Sequence, residues 1–422
     1  GRLLVVVAAA SPQGGTGGVA KNPRTLNSEL PPSAESGGRA EPASGLGGKG
    51  WQWLYLGVVG SLLLRLSLFE FESGDYQAFL SPWYDYLVKH GRWASLGQDF
   101  SNYYVPYLGL LSLATWLPVP RVYAIKLISV AFDYVAAWLV FRLVRLRYRS
   151  GPLPWAAGLA TLFLPTVVMN SAVWGQCDVI YTTALLGSLY GALRSQAVVC
   201  LGAFGLACAF KPQGIFLAPF LAGLLFRGDL PWRWVWLPGA VYAACGMPAI
   251  LAGKPPTQVL GHWLRQENLP TLTAGAPNLY QWLSDDHLAV FRLAGTVLGL
   301  LAAGALVLSM RYEDQQRSRE EWLVSAALLS VLGMPYVFPG MHERYFFAAD
   351  LFALVYAFCV PHRWYVAAGV QAASFFSYLP FLFRHEPIPL SWLAVGMAAV
   401  LGVVLRDYAT ALLRAPQPRT PA

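Results

Sequence analysis

Long apolar runs recur along almost the whole chain from Trp51 onward, and they limit the possible folds more than any other feature. Many of them are long enough to cross roughly 30 Å of hydrocarbon as helices. Of the 422 residues, 56% are hydrophobic and only 12% are charged, too few charges to cover a soluble surface. Because only helices and closed barrels satisfy their backbone groups in lipid, the pattern predicts an all-α polytopic membrane protein.

The runs predict about twelve transmembrane helices in a domain that covers residues 51–406. Residues 1–50 are rich in Gly, Ala, Ser and Pro and are predicted to form a disordered tail, and residues 407–422 a cytoplasmic tail. The predicted spans are 51–69, 121–144, 154–173, 178–193, 197–210, 213–226, 234–252, 287–309, 322–338, 346–360, 362–383 and 390–406.

The distribution of Arg and Lys predicts the topology. The apolar stretch at residues 103–117 is short for a crossing. If it lies in the membrane interface, the basic cluster at residues 142–149 and the later basic loops all face the cytoplasm; if it spans, every later loop inverts. We therefore predict that both termini are cytoplasmic. The loops predicted on the other side are 70–120, 174–177, 211–213, 253–286, 339–345 and 384–389.

Several other classes of protein do not fit the sequence. The net charge of +8 comes from basic residues in short loops, so no nucleic-acid partner is predicted. No Cys-x-x-Cys pair and no metal-ligand spacing of His occur, and there is no Gly-rich phosphate loop. We predict no cofactor and no metal site.

The first predicted outer loop carries an aspartate before an amphipathic segment. Asp75 can be a general base at the mouth of a cavity, or only the N-cap of the helix that follows. The helix is expected to lie flat on the membrane. Its apolar face comprises Tyr76, Phe79, Leu80, Trp83, Tyr84 and Leu87.

Two further polar motifs interrupt apolar runs on the same predicted side. In Trp174-Gly-Gln-Cys-Asp178, an interfacial location explains Trp174, whereas burying Gln176 and Asp178 is costly without partners or water. In Lys211-Pro-Gln213, the lysine can pair with a phosphate or extend to the interface.

A third polar motif, His342-Glu-Arg344, begins a predicted span. Arg344 can bind phosphate oxygens in a bidentate manner, with Glu343 orienting the guanidinium and His342 donating a further hydrogen bond. The alternative is a local ion pair between Glu343 and Arg344. Lys126 and Asp133 lie on one face of the second span and are predicted to be structural.

Taken in order, these motifs resemble the GT-C superfamily of polyprenyl-phosphate-sugar glycosyltransferases over most of residues 51–360. The chain looks most like the dolichyl-phosphate-glucose glucosyltransferases of N-glycan assembly, GPI-type mannosyltransferases and their bacterial relatives. Two motifs depart from the family pattern: a Tyr-Pro-Pro-Leu sequence appears as Tyr104-Val-Pro106-Tyr107, and the glutamine motif ends in Cys-Asp. The motifs are Gly74-Asp75-Tyr76, Tyr103 to Tyr107, Lys126 to Asp133, Trp174 to Asp178, Phe210 to Gln213 and His342 to Arg344.

The resemblance implies a GT-C-like hexosyltransferase in which Asp75 is the general base. Its expected partners are a polyprenyl-phosphate sugar donor, a glycan or glycolipid acceptor and membrane lipids. The bacterial plasma membrane is the expected location, or the endoplasmic reticulum membrane in a eukaryote. Donor-phosphate binding is assigned to Lys211, Arg344 and His342, and sugar or acceptor binding to Trp174, Gln176, Asp178, Gln213, Asn278, Glu343 and Tyr104.

Two alternatives to this function stay open from the sequence. A transporter or lipid flippase would carry its polar sites near the bilayer midplane, between repeated halves. A noncatalytic assembly partner would use its polar loops for binding alone.

Overall fold

The computed structural model describes residues 46–265, 269–312 and 318–413. The first described helix begins at Gly48 and the last one ends at Leu413. The helix therefore continues through the first part of the region predicted as a C-terminal tail. Residues 1–45 and 414–422, on which most of the two predicted tails fall, lie outside the described residues.

Helices occupy all of the ranges predicted as spans. Among the described residues, short π- and 3-10-helical turns and one pair of two-residue strands lie between them: β1 (Thr273–Ala274) runs parallel to β2 (Met341–His342). The α-helices are α1 Gly48–Ser67, α2 Ser81–Lys89, α3 Val105–Ala114, α4 Arg121–Arg147, α5 Leu153–Phe163, α6 Pro165–Val168, α7 Asp178–Leu193, α8 Ala197–Phe210, α9 Ala218–Arg227, α10 Leu237–Leu251, α11 Pro256–Leu260, α12 Leu288–Ser309, α13 Arg319–Val337, α14 Phe347–Cys359, α15 Trp364–Phe383 and α16 Leu390–Leu413.

Five helical segments in the described residues are long and apolar enough to cross a membrane, and a sixth forms if α5 and the bent segment after it count together. The helices α7, α8, α9 and α14 also match predicted spans but have only 10 to 16 residues. The number of crossings therefore stays a prediction. The five segments are Arg121–Arg147, Trp232–Leu251, Asp285–Ser309, Pro361–Phe383 and Leu390–Thr410.

Burial divides the helices into a centre and a periphery. On α13 every residue from Trp322 to Tyr336 is buried, and α7 and α14 are buried along most of their length. By contrast, α10 and α12 expose many large apolar side chains, such as Leu251 and Leu293. Such faces are stable against lipid but not against water.

The first predicted outer loop contains two helical segments. A π-helical turn at Tyr76–Leu80 leads directly into α2. The prediction that its apolar face lies on the membrane is wrong, because α3 and α4 cover this face and only Phe79, 45% exposed, stays outside. The ten residues of α3 extend about 15 Å, half the hydrocarbon thickness. The buried side chains of the face are Tyr76, Leu80, Trp83, Tyr84 and Leu87.

Two buried charges of α4 attach α1 to the bundle, as predicted for structural residues. Asp133 Oδ2 accepts hydrogen bonds from Arg65 Nε on α1 at 2.8 Å and from Ser171 Oγ at 2.6 Å. The Lys126 ammonium satisfies carbonyl groups at the C-terminal end of α1. It donates to the carbonyl oxygens of Leu68, Phe69 and Phe71 at 3.3, 2.9 and 2.6 Å. These contacts fix the start of the loop that carries Asp75.

Candidate active site

Asp75 lies at the start of the helical segment after α1, and one oxygen of its carboxylate is held by three donors. Oδ2 accepts hydrogen bonds from Trp174 Nε1 at 2.9 Å, from Gln176 Nε2, and from Arg344 NH1 at 3.4 Å. Oδ1 accepts no hydrogen bond from the described part of the chain, and the side chain is 13% exposed. The carboxylate is thus oriented through one oxygen while the other is available.

The alternative role of Asp75 as a helix cap is wrong. Its side chain makes no cap hydrogen bond. Ser73 takes that role, because its Oγ accepts from the N–H of Tyr76 at 3.1 Å. The Ser73 hydroxyl also donates to the carbonyl oxygen of Trp174 at 2.7 Å and so joins the first loop to the second polar motif.

The second polar motif reverses direction at a glycine. A π-helical turn ends at Trp174, Gly175 adopts a φ of +78°, and α7 begins at Asp178. Glycine is the residue that adopts this left-handed conformation without strain. The turn directs the side chains of Gln176 and Asp178 to the same side as Trp174.

Lys211 lies between α8 and the 3-10 turn that follows it. Its Nζ donates to Asp178 Oδ1 at 2.5 Å and to Gln176 Oε1 at 3.4 Å. The second oxygen of Asp178 accepts from Asn170 Nδ2 at 2.8 Å. Lys211 and Asp178 are both buried and form an ion pair next to the Asp75 cluster.

Arg344 lies just after β2, in a 3-10 turn, and its guanidinium lies among three carboxylates. NH1 is 3.4 Å from Asp75 Oδ2 and 3.5 Å from Glu343 Oε1, and Nε is 3.9 Å from Asp178 Oδ2. The guanidinium carbon is 5.5 Å from the centroid of the Trp174 ring. The buried Nε makes no hydrogen bond within the described residues.

Burial and neighbouring carboxylates shift the pKa values of Lys211 and Arg344 in opposite directions. Burial lowers the pKa of Lys211, but the charge of Asp178 raises it, and the net shift is upward. Burial also lowers the pKa of Arg344, while Glu343 and Asp178 raise it, again with a net upward shift. Burial raises the pKa of the Tyr103 hydroxyl well above its usual value. At neutral pH the site therefore contains two cations and a neutral phenol.

A cavity of about 770 Å³ opens beside this cluster. Lys211, Arg344 and Tyr103 form part of its wall, together with His342 and Gln213. Its size is within the range of small-molecule binding sites. Aromatic side chains line other parts of the cavity: Phe79, Trp83, Phe100, Trp263 and Tyr345.

Most of the predicted site residues meet in this region, and two do not. Asn278 Oδ1 accepts from the N–H of Tyr280 at 3.2 Å, and its amide donates to the carbonyl oxygen of Pro335 at 3.4 Å. Tyr104 stacks on Tyr242, with ring centroids 4.5 Å apart. Neither side chain lines the cavity. The residues that meet are Asp75, Trp174, Gln176, Asp178, Lys211, Gln213, His342, Glu343 and Arg344.

Sequence reasoning missed two participants. Tyr103 donates its hydroxyl hydrogen to Gln176 Oε1 at 3.0 Å, whereas the sequence predicts Tyr104 as the site residue. Asn170 binds Asp178 from within the bent span. Placing an asparagine inside an apolar span costs free energy unless its amide binds a polar partner, and that signal could have identified Asn170.

No protein-family model matches the chain, and no curated protein matches it. Among solved structures, the crystal structure of ArnT from Cupriavidus metallidurans bound to undecaprenyl phosphate matches with a TM-score of 0.51. The match covers 86% of this chain and 78% of that chain, at 14% sequence identity. The chain therefore shares the fold of ArnT, and with its long apolar helices it is an integral membrane protein.

Proposed function

We propose that the chain is a membrane glycosyltransferase that transfers a hexose from a polyprenyl-phosphate donor to a lipid-linked or cell-surface glycan on the non-cytoplasmic side. One observation carries the proposal: Asp75, Lys211 and Arg344 come from distant segments and meet at one cluster beside a large cavity. The fold shared with ArnT, whose crystal structure contains undecaprenyl phosphate, supports this class of donor.

In the proposed reaction, an acceptor hydroxyl attacks the anomeric carbon of the donor sugar. Asp75 takes the hydroxyl proton as the new carbon–oxygen bond forms, and the bond from the anomeric carbon to the phosphate oxygen breaks. The configuration inverts because the attack and the departure are on opposite faces. The free Oδ1 is the oxygen expected to accept the proton, since Trp174 and Gln176 hold Oδ2.

The departing polyprenyl phosphate gains negative charge as its bond to the sugar breaks. Lys211 and Arg344 are proposed to stabilise that charge, with His342 adding a hydrogen bond from the cavity wall. The NH1 group of Arg344 makes only long contacts with carboxylates, at 3.4 Å from Asp75 Oδ2 and 3.5 Å from Glu343 Oε1. A phosphate oxygen can therefore bind the guanidinium without breaking a short ion pair.

The sugar and the acceptor are proposed to occupy the cavity. Gln213 lies on its wall with a buried Oε1 that makes no hydrogen bond within the described residues. Trp174, Gln176, Asp178 and Glu343 are proposed to position the reacting groups from behind the cavity wall, either directly or through Asp75, Lys211 and Arg344. Aromatic side chains with a few polar groups are the usual lining of small-molecule binding sites.

The test is to incubate purified, reconstituted protein with a panel of polyprenyl-phosphate sugars and glycan acceptors. We expect release of the lipid phosphate and a glycosylated acceptor from one of the donors. Asp75→Asn should lower the rate by about 10²- to 10⁴-fold, the usual contribution of a general base. Asp85→Asn is the matched control, because Asp85 is an exposed carboxylate of the same loop that forms an ion pair with Arg121.

Full activity of the Asp75→Asn protein would remove Asp75 from the mechanism. Movement of lipid or solute across the membrane of proteoliposomes, with no sugar transfer from any donor, would show that the chain is a transporter and not a glycosyltransferase.

A further inference from the structure

A second cavity, of about 690 Å³, lies at the other end of α4 from the candidate active site. Four arginines line it and one carboxylate, Glu320, faces them. The sequence predicts that all four face the cytoplasm, three in the basic cluster at residues 142–149 and one in a later loop, and the proposed reaction does not use them. The four are Arg142, Arg145, Arg149 and Arg194.

Aromatic contacts hold two of these guanidinium groups in place. Arg142 NH2 donates to the Tyr190 hydroxyl at 2.6 Å, and its guanidinium carbon is 5.0 Å from the Trp138 ring centroid. The guanidinium of Arg145 is 5.7 Å from the centroid of Phe141. Arg142 has five N–H donors, and one of them is used within the described residues. Planar guanidinium groups with free donors match the oxygens of a phosphate.

The carboxylate that follows Glu320 in the sequence does not neutralise this cavity. Glu321 binds Arg147 at 2.7 Å, and Arg147 does not line the cavity. The cavity therefore has a large excess of positive charge and suits an anion.

The surface of α4 indicates that the anion belongs to a lipid. Val135 is 43% exposed and Trp138 52% exposed, and both lie on the helical face that carries Arg142 and Arg145. Exposed apolar side chains of a spanning helix face hydrocarbon, so the arginines lie where the hydrocarbon ends. Lipid phosphates occupy that level, and tryptophan is enriched there.

The geometry points to a binding site for the phosphate-bearing headgroup of an acidic membrane phospholipid, with an acyl chain along Val135 and Trp138. The site is separate from the proposed active site. Ser129 Oγ contacts the carbonyl oxygen of Gln176 at 2.6 Å, and the rise of α4 from Ser129 to Arg142 is about 20 Å. The inference does not depend on sugar transfer.

Native mass spectrometry of the whole protein tests this site. The protein is exchanged into detergent with phosphatidylglycerol or phosphatidylcholine as the probe lipid, and bound lipids are counted. The wild type should retain phosphatidylglycerol in preference to phosphatidylcholine. The R142A/R145A variant should bind phosphatidylglycerol about fivefold more weakly for each arginine removed.

The matched control is R311A/R406A, which removes two exposed arginines that do not line the cavity. It should retain phosphatidylglycerol as the wild type does. If the double variant does not fold, the single variant Arg145→Glu replaces it in the test, because position 145 is exposed. Arg145→Glu should also lose bound phosphatidylglycerol.

Three results would overturn the inference. Phosphatidylglycerol retention that is equal in the R142A/R145A and control variants would show that the cavity does not hold the headgroup. Equal retention of phosphatidylcholine would show that the lipid charge is not recognised. Complete displacement of the lipid by inorganic phosphate would assign the cavity to a soluble phosphate.

Discussion

At the scale of single residues, Gln176 connects Asp75 with Lys211 in the candidate site. Its amide nitrogen donates to Asp75, while its amide oxygen accepts from Tyr103 at 3.0 Å and from Lys211 at 3.4 Å. Each of these partners belongs to a different segment of the chain. Gln176 is therefore a positioning residue for both the proposed base and a proposed phosphate-binding cation.

Gln176→Leu should lower kcat for sugar transfer by about 100-fold, because small misplacements of a catalytic group have effects of that size. KM for the donor should change much less, since Lys211 keeps its contact with Asp178. Steady-state kinetics of lipid phosphate release measure both constants. Gln77→Leu is the matched control, an exposed glutamine of the first loop. An unchanged kcat for Gln176→Leu would show that Asp75 needs no such support.

Lys211→Met should inactivate the protein and also destabilise it. Removing one partner of a buried ion pair leaves an uncompensated charge on Asp178, at a cost of about 3–5 kcal/mol. Adding Asp178→Asn to Lys211→Met should restore the thermal unfolding midpoint but not sugar transfer. Recovery of transfer in the double variant would mean that Lys211 has only a structural role.

At the scale of elements, the sequence predicted helix locations better than it predicted what each face contacts. The charge distribution predicts that the apolar run at residues 103–117 does not span, and α3 within it has ten residues. The amphipathic pattern at α2 was recognised, but hydrophobicity alone does not distinguish a face that meets lipid from one that meets protein. The side of the membrane on which α2 lies stays a prediction.

The choice between Tyr103 and Tyr104 shows why the site could be predicted only in part. Both tyrosines precede α3, and Tyr104 has an extended backbone with φ of −75° and ψ of 160°. Successive side chains of extended backbone point to opposite sides. Tyr103 therefore reaches Gln176, while Tyr104 packs on Tyr242. A shift of one residue along the chain would exchange the two tyrosines, and the sequence pattern does not show which of them faces the site.

The buried ion pair between Arg65 and Asp133 attaches α1 to α4. Arg65→Met should destabilise the protein by about 3–5 kcal/mol, because it leaves Asp133 charged and buried. The double variant Arg65→Met/Asp133→Leu should recover most of this loss, since two apolar side chains replace the buried pair. Thermal unfolding in detergent measures both. A stable Arg65→Met protein would show that the ion pair does not hold α1 in place.

At the scale of the whole molecule, the polar motifs gather at one end of the bundle and the arginine cluster of α4 lies at the other. The sequence predicts that the motifs meet on one side of the membrane, whereas the contacts among their side chains come from the fold. The short helices α8 and α9 and the bend after α5 prevent a reliable count of crossings from hydropathy. Charge distribution is independent of helix length, so it predicts sidedness even where the spans are short.

This sidedness can be tested with cysteines introduced into the full chain. Gly74 is exposed, and a side chain added there meets no atom within 4 Å, so Gly74→Cys should fold. His385→Cys lies in another predicted outer loop, and Ser150→Cys follows the basic cluster of α4; both positions are exposed. Replacing the half-buried Cys208 and Cys245 with alanine removes the native thiols that are not buried.

In intact cells, a membrane-impermeant maleimide should label Gly74→Cys and His385→Cys, because both positions are predicted to face away from the cytoplasm. It should label Ser150→Cys only after the membrane is permeabilised. Denatured protein provides the control for total reactive thiol. Labelling of Gly74→Cys only after permeabilisation would place the loop that carries Asp75 on the cytoplasmic side. The proposed transfer on the non-cytoplasmic face would then be wrong, whereas the cluster of Asp75, Lys211 and Arg344 would remain.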